Sequence, residues 1–273
     1  MADNPETADG SADQETAPPP VLVEREGRVL AITLNRPGNG NAIDFPLAEA
    51  LTDAVRQADD EVGAVLLLGA GDHFCLGGDL AEFGAADEPG RFLDALATQL
   101  HEAVAGLAEL DVPLVIGLHG GVGGAGMSLA GVGDVVVCGR SAKLRPAYLA
   151  VGLTPDGGMS WTLPRAMGRV RFMDLAMTGS VLRATDALSM GVVSRVVDDD
   201  EVVGEASRLA AQLANGPTAS FGRLKKLVRD GDQRDFRSQL FAEATAIGVS
   251  ADSPEGREGV AAFLEKRSAR FQG

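Results

Sequence analysis

The chain has 273 residues, 45% of them hydrophobic, with 35 glycines, two cysteines and a formal net charge of −15. A chain of this length can form one large domain and bury about three quarters of its unfolded surface, so it needs no disulfide or metal staple. Two cysteines make no disulfide framework, no run of 18 apolar residues can span a membrane, and the acidic balance opposes nucleic-acid phosphates.

These features are those of a soluble, cytoplasmic enzyme or small-molecule binder. Residues 1–20 carry Asp3, Glu6, Asp9, Asp13 and Glu15 without Lys or Arg. That is the opposite charge to a signal or transit peptide, and too little apolar surface to order the chain, so a disordered acidic tail is predicted. VLVEREGRVLAITLN, from Val21, reads as a β-hairpin turning at Glu26-Gly27. Asn35 to Asn41 is a turn cluster. Leu47, Leu51, Ala54 and Val55 give Phe45 to Asp60 a helical period, and AVLLLG (64–69) has the length of a buried strand. A polar glycine loop, AGDHFCLGGDL, follows. The pattern then repeats: a helix over Arg91–Leu110, a strand over Pro113–Leu118, the loop HGGVGGAG, a short helix at Met127–Ala130 and the strand DVVVCG (134–139). Such alternation predicts an α/β fold with a largely parallel sheet. From Glu201 onward only helices are predicted, broken at Asn215-Gly216-Pro217, Asp230-Gly231-Asp232 and Asp252-Ser253-Pro254. The chain thus divides into the tail (1–20), a core (21–200) and a helical C-terminal segment (201–273).

The two glycine loops each lie where a strand gives way to a helix. Glycine lets backbone approach a ligand, and helix starts leave unpaired N–H groups, which suits a developing oxyanion. Both loops are also readable as plain tight turns. Gly121-Val-Gly-Gly-Ala-Gly126 spells G-x-G-x-x-G, but the next strand begins too soon for a crossover helix and lacks the acidic residue that grips a dinucleotide. Gly126-Met-Ser-Leu-Ala130 is one residue short of a nucleophile elbow. His73, His101 and His119 all precede Ser128, which is the wrong order for that hydrolase triad. The third option is a pair of backbone amides, one from each loop, polarising one carbonyl.

Six segments, LNRPGNGNAID (34–44), HFCLGGDL (73–80), HGGVGGAGMSLAGVGDVVV (119–137), VGLTPDGGMSWTLPRAMGR (151–169), TGSVLRATDALSMGVVSRVV (178–197) and EGREGVAAFLEKRSARF (255–271), closely resemble the crotonase, or enoyl-CoA hydratase/isomerase, family in family order. The resemblance implies a ββα spiral core with a helical oligomerisation segment, an acyl-CoA thioester as substrate, no separate cofactor, no metal, and a homotrimer or hexamer. It assigns the oxyanion amides to Leu76 and Ala125. It places Ser128 and Tyr148 where the hydratases of the family carry glutamates, and Asp156 in a P-D-x-G-G-like context typical of the isomerase-like branch. It further implies substrate-binding positions at Arg36, Asn41, Ala42, Cys75, Gly77, Gly78, Asp79, Gly124, Ser128, Tyr148 and Lys266, the last on the final helix, where Arg267 is an equivalent candidate.

Neither Ser128 nor Tyr148 is a carboxylate, so neither holds water as a base near neutral pH in the usual way. The leading expectation is therefore an enoyl-CoA isomerase with Asp156 as proton shuttle. The alternatives are a hydratase and a catalytically silent acyl-CoA binder. Structural readings stand beside each assignment. Asp156 and Asp79 are both suited to cap the helices that follow them, and Lys266 suits a solvated helix face. His73 and His119 suit structural roles, and Cys75 and Cys138 suit small buried sites.

Overall fold

The computed structural model describes residues 18–271; most of the acidic tail therefore lies outside the described residues. The strands are β1 (Val21–Glu26), β2 (Val29–Leu34), β3 (Ala64–Gly69), β4 (Leu114–Leu118), β5 (Gly121–Gly123), β6 (Val135–Gly139), β7 (Lys143–Arg145), β8 (Leu182–Arg183) and β9 (Arg195–Val197). The helices up to the last strand are α1 (Phe45–Val55), α2 (Leu80–Ala85), α3 (Pro89–Glu109), α4 (Ala125–Ala130), α5 (Met159–Met167), α6 (Arg169–Thr178) and α7 (Ala184–Ser189). Four more follow it: α8 (Val202–Ala214), α9 (Thr218–Gly231), α10 (Phe236–Asp252) and α11 (Pro254–Leu264). The main sheet has the order β1-β2-β3-β4-β6-β9 and is parallel from β2 onward.

The apolar runs follow from burial on both faces. Along β3 and β4, Val65, Leu67, Leu114, Ile116 and Leu118 face the larger core beneath α1 and α3. Ala64, Leu66 and Val115 face a second core closed by Ala206, Leu209, Ala210 and Ala214 of α8. A strand covered on both sides cannot alternate apolar and polar residues. Accordingly α8 completes the sheet's second face, and the helices beyond it begin at Thr218.

Helix boundaries differ from expectation where solvent takes over or a cap intervenes. The first helix stops at Val55, after which Arg56 and Gln57 are exposed and bury nothing. It starts where Asp44 accepts a hydrogen bond from Leu47 N at 2.9 Å, an N-cap worth about 1 kcal/mol. The glycine loop at 121–123 is partly a strand: β5 pairs in parallel with β7, itself antiparallel to β8. At the N-terminal edge, Asn35 ties Pro19 and Pro20 down, its side-chain amide donating to Pro19 O at 2.9 Å and its N–H to Pro20 O at 2.7 Å.

Lys266 stands two residues beyond the last helix instead of on it, with φ +56°. Arg267 N donates to Ala262 O at 3.0 Å and Lys266 N to Phe263 O at 3.2 Å. This is a Schellman cap whose left-handed position normally holds glycine. Lys266→Gly is expected to stabilise the fold by about 0.5–1 kcal/mol, the left-handed strain less glycine's entropy. A lower thermal midpoint in the variant would contradict this account.

Candidate active site

The two glycine loops are joined through their backbones. Gly123 N donates to Cys75 O at 2.9 Å, and Cys75 bridges Val122 in parallel. Such an approach tolerates no side chain: a Cβ on Gly126 would stand 2.3 Å from Cys75 O, and one on Gly123 2.9 Å from Leu76 O. On the far side the first loop pairs with the segment after the Asn35–Asn41 turn. Ile43 N donates to Gly77 O at 2.8 Å, and Asp79 N to Ile43 O at 2.9 Å. Asn41 anchors this arrangement from inside. Fully buried, its side-chain amide donates to Ala70 O, His73 O and Phe74 O at 2.8–3.1 Å, while its carbonyl accepts from Arg36 N at 2.8 Å.

This pairing decides which amides can serve a ligand, and it corrects one assignment. Leu76 N–H is already bound to Gly40 O at 2.9 Å, so it is not available to an oxyanion. Gly77 O and Asp79 N both face Ile43, and backbone groups alternate sides along an extended segment, so the Gly78 N–H faces the opposite way. Gly78 N–H and Ala125 N–H have no acceptor among the described residues. Ala125 opens α4, where helix N–H groups lack intrahelical partners. The two segments adjoin: a Cβ on Gly77, the residue before Gly78, would lie 3.6 Å from Ala125 N, and Gly78 and Ala125 line the same cavity.

Gly78 and Ala125 line a cavity of about 470 Å³, together with Leu76, Gly77, Asp79, Gly124, Tyr148 and Asp156. The remaining wall is chiefly apolar and includes Ile43, Phe83, Leu93, Leu96, Leu100, Val151 and Leu153. Among the described residues that line it there is no Lys or Arg. Arg36, Asn41, Ala42, Cys75, Ser128 and Lys266 do not line it. Arg36 is engaged elsewhere, bonded to Ala42 O and paired with Asp44 at 3.0 Å and Asp79 at 3.4 Å. Cys75 is enclosed, and burial pushes its thiol up to about 12, so it stays protonated near neutral pH. Asp79 caps α2, as expected, accepting from Ala81 N at 3.2 Å.

Asp156 does not cap the helix that follows it. Gly157 and Gly158 both have positive φ (57° and 80°), and Gly158 is the N-cap of α5 without a side-chain cap bond. The Asp156 carboxylate turns instead to Tyr148, whose hydroxyl donates to Oδ1 at 2.5 Å. Ser128, fully buried, donates its hydroxyl to Asp156 O at 2.9 Å and lies 3.1 Å from the Tyr148 hydroxyl oxygen. Burial first, and then the Asp156 charge, hold the Tyr148 phenol well above its ordinary value. The ring of Tyr148 borders the amide wall, 3.9 Å from where a Gly124 Cβ would stand.

Two histidines hold loop backbone: His73 Nδ1 accepts from Gly121 N at 3.0 Å, and His119 Nε2 lies 2.8 Å from Gly71 O. His101 is a contributor the sequence does not reveal. From α3, its Nε2 accepts from Gly157 N at 3.0 Å and so braces the Asp156 turn. Gly78 as a donor was equally hidden, as were the α3 leucines, whose helical stripe reads simply as core.

A sequence model described as enoyl-CoA hydratase/isomerase matches residues 24–273. The chain is 36% identical over 260 residues to 1,2-epoxyphenylacetyl-CoA isomerase of Escherichia coli, covering 93% of this chain and 98% of the relative. It is 36% identical over 246 residues to a Rhodobacter capsulatus protein named as a probable enoyl-CoA hydratase, covering 90% of this chain and 95% of the relative. The crystal structure of an enoyl-CoA hydratase from Polaromonas sp. JS666 superposes with a TM-score of 0.88 at 30% identity, over 92% of this chain and 98% of that one. The amide pair, the cavity beside it and these similarities agree: the chain is a crotonase-fold member of the enoyl-CoA hydratase/isomerase family.

Proposed function

We propose that the protein is an enoyl-CoA isomerase that shifts a double bond through a thioester enolate. The thioester oxygen lies between the N–H groups of Gly78 and Ala125, which face the cavity without a protein acceptor among the described residues. Asp156 removes a proton from the carbon alpha to the carbonyl, and negative charge moves onto the oxygen. The electron pair relocates along the chain, and Asp156 returns the proton at the gamma carbon. Atoms and charge balance without a cofactor, because the coenzyme A is carried by the substrate.

Asp156 is the observation that carries this reading. Its Oδ1 is held by Tyr148, and its Oδ2 has no protein partner among the described residues that surround the cavity. Hydration would need a second group able to activate water. The two positions that resemble the hydratase glutamates hold a buried serine and a phenol whose proton is held more tightly than usual. The wall of Phe83, Leu93, Leu96 and Leu100 suits a neutral apolar acyl group. Outward apolar side chains on the last three helices, among them Val228, Phe236, Phe241, Ile247 and Phe263, support self-association as a trimer or hexamer.

Asp156→Asn is expected to lower kcat for conversion of a 3-enoyl-CoA to its 2-enoyl isomer by about 10²–10⁴, the usual contribution of a positioned proton carrier, with ester binding nearly intact. Turnover at the wild-type rate would remove Asp156 from the mechanism. Gly78→Pro deletes one oxyanion donor and is expected to cost about 10²–10³ in kcat. Because a Gly78 Cβ meets nothing within 4 Å, circular dichroism should show the fold retained; full activity in this variant would refute the donor assignment. Hydration of crotonyl-CoA at an ordinary enzymatic kcat, about 1–10³ s⁻¹, would favour the hydratase reading instead. Sedimentation equilibrium is expected to give a multiple of the 28.1 kDa chain mass.

A further inference from the structure

We infer that Tyr148 is a positioning residue that confines the migrating proton to one oxygen of Asp156; this rests on the reading that Asp156 carries the proton. The cluster has three oxygen–oxygen contacts: Tyr148 to Asp156 Oδ1 at 2.5 Å, Tyr148 to Ser128 at 3.1 Å, and Ser128 to Asp156 O at 2.9 Å. Each hydroxyl supplies one hydrogen, so two hydrogens serve three contacts when the carboxylate is ionised. Ser128 is the donor that reaches the Asp156 carbonyl. The Tyr148 hydrogen therefore chooses between a neutral serine oxygen and a carboxylate, and the charge-assisted bond is the stronger by roughly twofold.

The consequence lies on the carboxylate. Oδ1 already accepts a hydrogen, so a proton taken from substrate resides on Oδ2, the oxygen left to the cavity. A carboxylic acid protonated there stays aimed at the acyl chain and can return the same proton at the gamma carbon. Freed from Tyr148, the carboxyl could rotate and carry the proton on either oxygen, which lengthens its life as an acid and opens exchange with water. The frame is rigid: His101 holds Gly157 N from one side, Ser128 holds Asp156 O from another, and Tyr148 abuts Gly124.

Two measurements test this. The first follows isomerisation of a 3-enoyl-CoA in deuterium oxide, with deuterium at the gamma carbon of the product read by mass spectrometry. In the wild type most hydrogen should be transferred internally. Tyr148→Phe removes only the hydroxyl; it is expected to raise gamma deuterium several-fold and to lower kcat by roughly ten- to a hundredfold, with KM within about twofold. Deuterium incorporation unchanged from the wild type, with or without a loss of kcat, overturns the proposal and leaves Tyr148 a packing residue. An inactive Asp156→Asn beside such a Tyr148→Phe removes the positioning role alone, whereas a fully active Asp156→Asn removes the underlying reading as well.

The second measurement uses the fact that the chain has a single tyrosine. Its near-ultraviolet tyrosinate band reports Tyr148 alone. In the folded wild type the band should be absent at pH 10, where a free tyrosine is half ionised. Asp156→Asn removes the charge but not the burial, so the midpoint should fall toward, without reaching, the ordinary value. An unchanged midpoint would show that the two groups do not meet in solution and would overturn the proposal.

Discussion

The hydrogen bond from Gly123 N to Cys75 O is the constraint on which the site depends. It brings two loops from different strands within backbone contact, and only glycine permits that distance. A Cβ on Gly120 would fall 1.9 Å from Asp72 O, and one on Gly126 2.3 Å from Cys75 O. Those glycines bring no chemistry of their own. They let Gly78 and Ala125 present neighbouring N–H groups from two separate segments, fixed before any ligand arrives. Preorganisation is what gives such donors their value, since no reorganisation remains to oppose the developing charge.

Local signals in the sequence were sufficient for most of the frame. The hairpin turn at Glu26-Gly27, the apolar run at 64–69 as a strand and the three breaks among the C-terminal helices all appear in the fold. Non-local pairing explains what was not legible. Gly121-Val122-Gly123 has little intrinsic preference for a strand, and its extension is imposed by Lys143–Arg145 alongside. Which amide of FCLGGDL stays open depends on Gly40 and Ile43, far upstream, because those two residues engage the groups on either side of Gly78. The sequence motif contains both Leu76 and Gly78 and cannot rank them. Lys266 shows the same limit at a helix end: nothing in its type announces a left-handed cap, which is set by how the chain turns back so that Arg267 and the Arg270 N–H meet Glu258.

Asp156 illustrates how two local rules compete. An Asp ahead of a helix is a good cap, and the turn chemistry alone leaves cap and proton carrier equally available. Two successive positive-φ glycines rule out the cap by moving the N-cap position to Gly158, two residues past Asp156. The side chain is thereby released toward Tyr148, which lines the same cavity. Fold and chemistry meet at this point, because a tighter turn would have returned the carboxylate to the backbone.

The electrostatic setting follows from the same arrangement. The cavity has acids and no base along its described lining, and the chain carries a net charge of −15. At physiological salt such a field is screened within about 8 Å, so it weighs little on a distant phosphate and heavily on anything beside Asp156. A second carboxylate placed at Ser128 or Tyr148 would have to share that corner with the first, and like charges at hydrogen-bond distance cannot both stay ionised. Hydroxyls remove the conflict. They also replace groups that would hold a water with groups that hold a carboxylate. That corner accordingly holds one carboxylate, tied to a phenol, with no second acid beside it among the described residues.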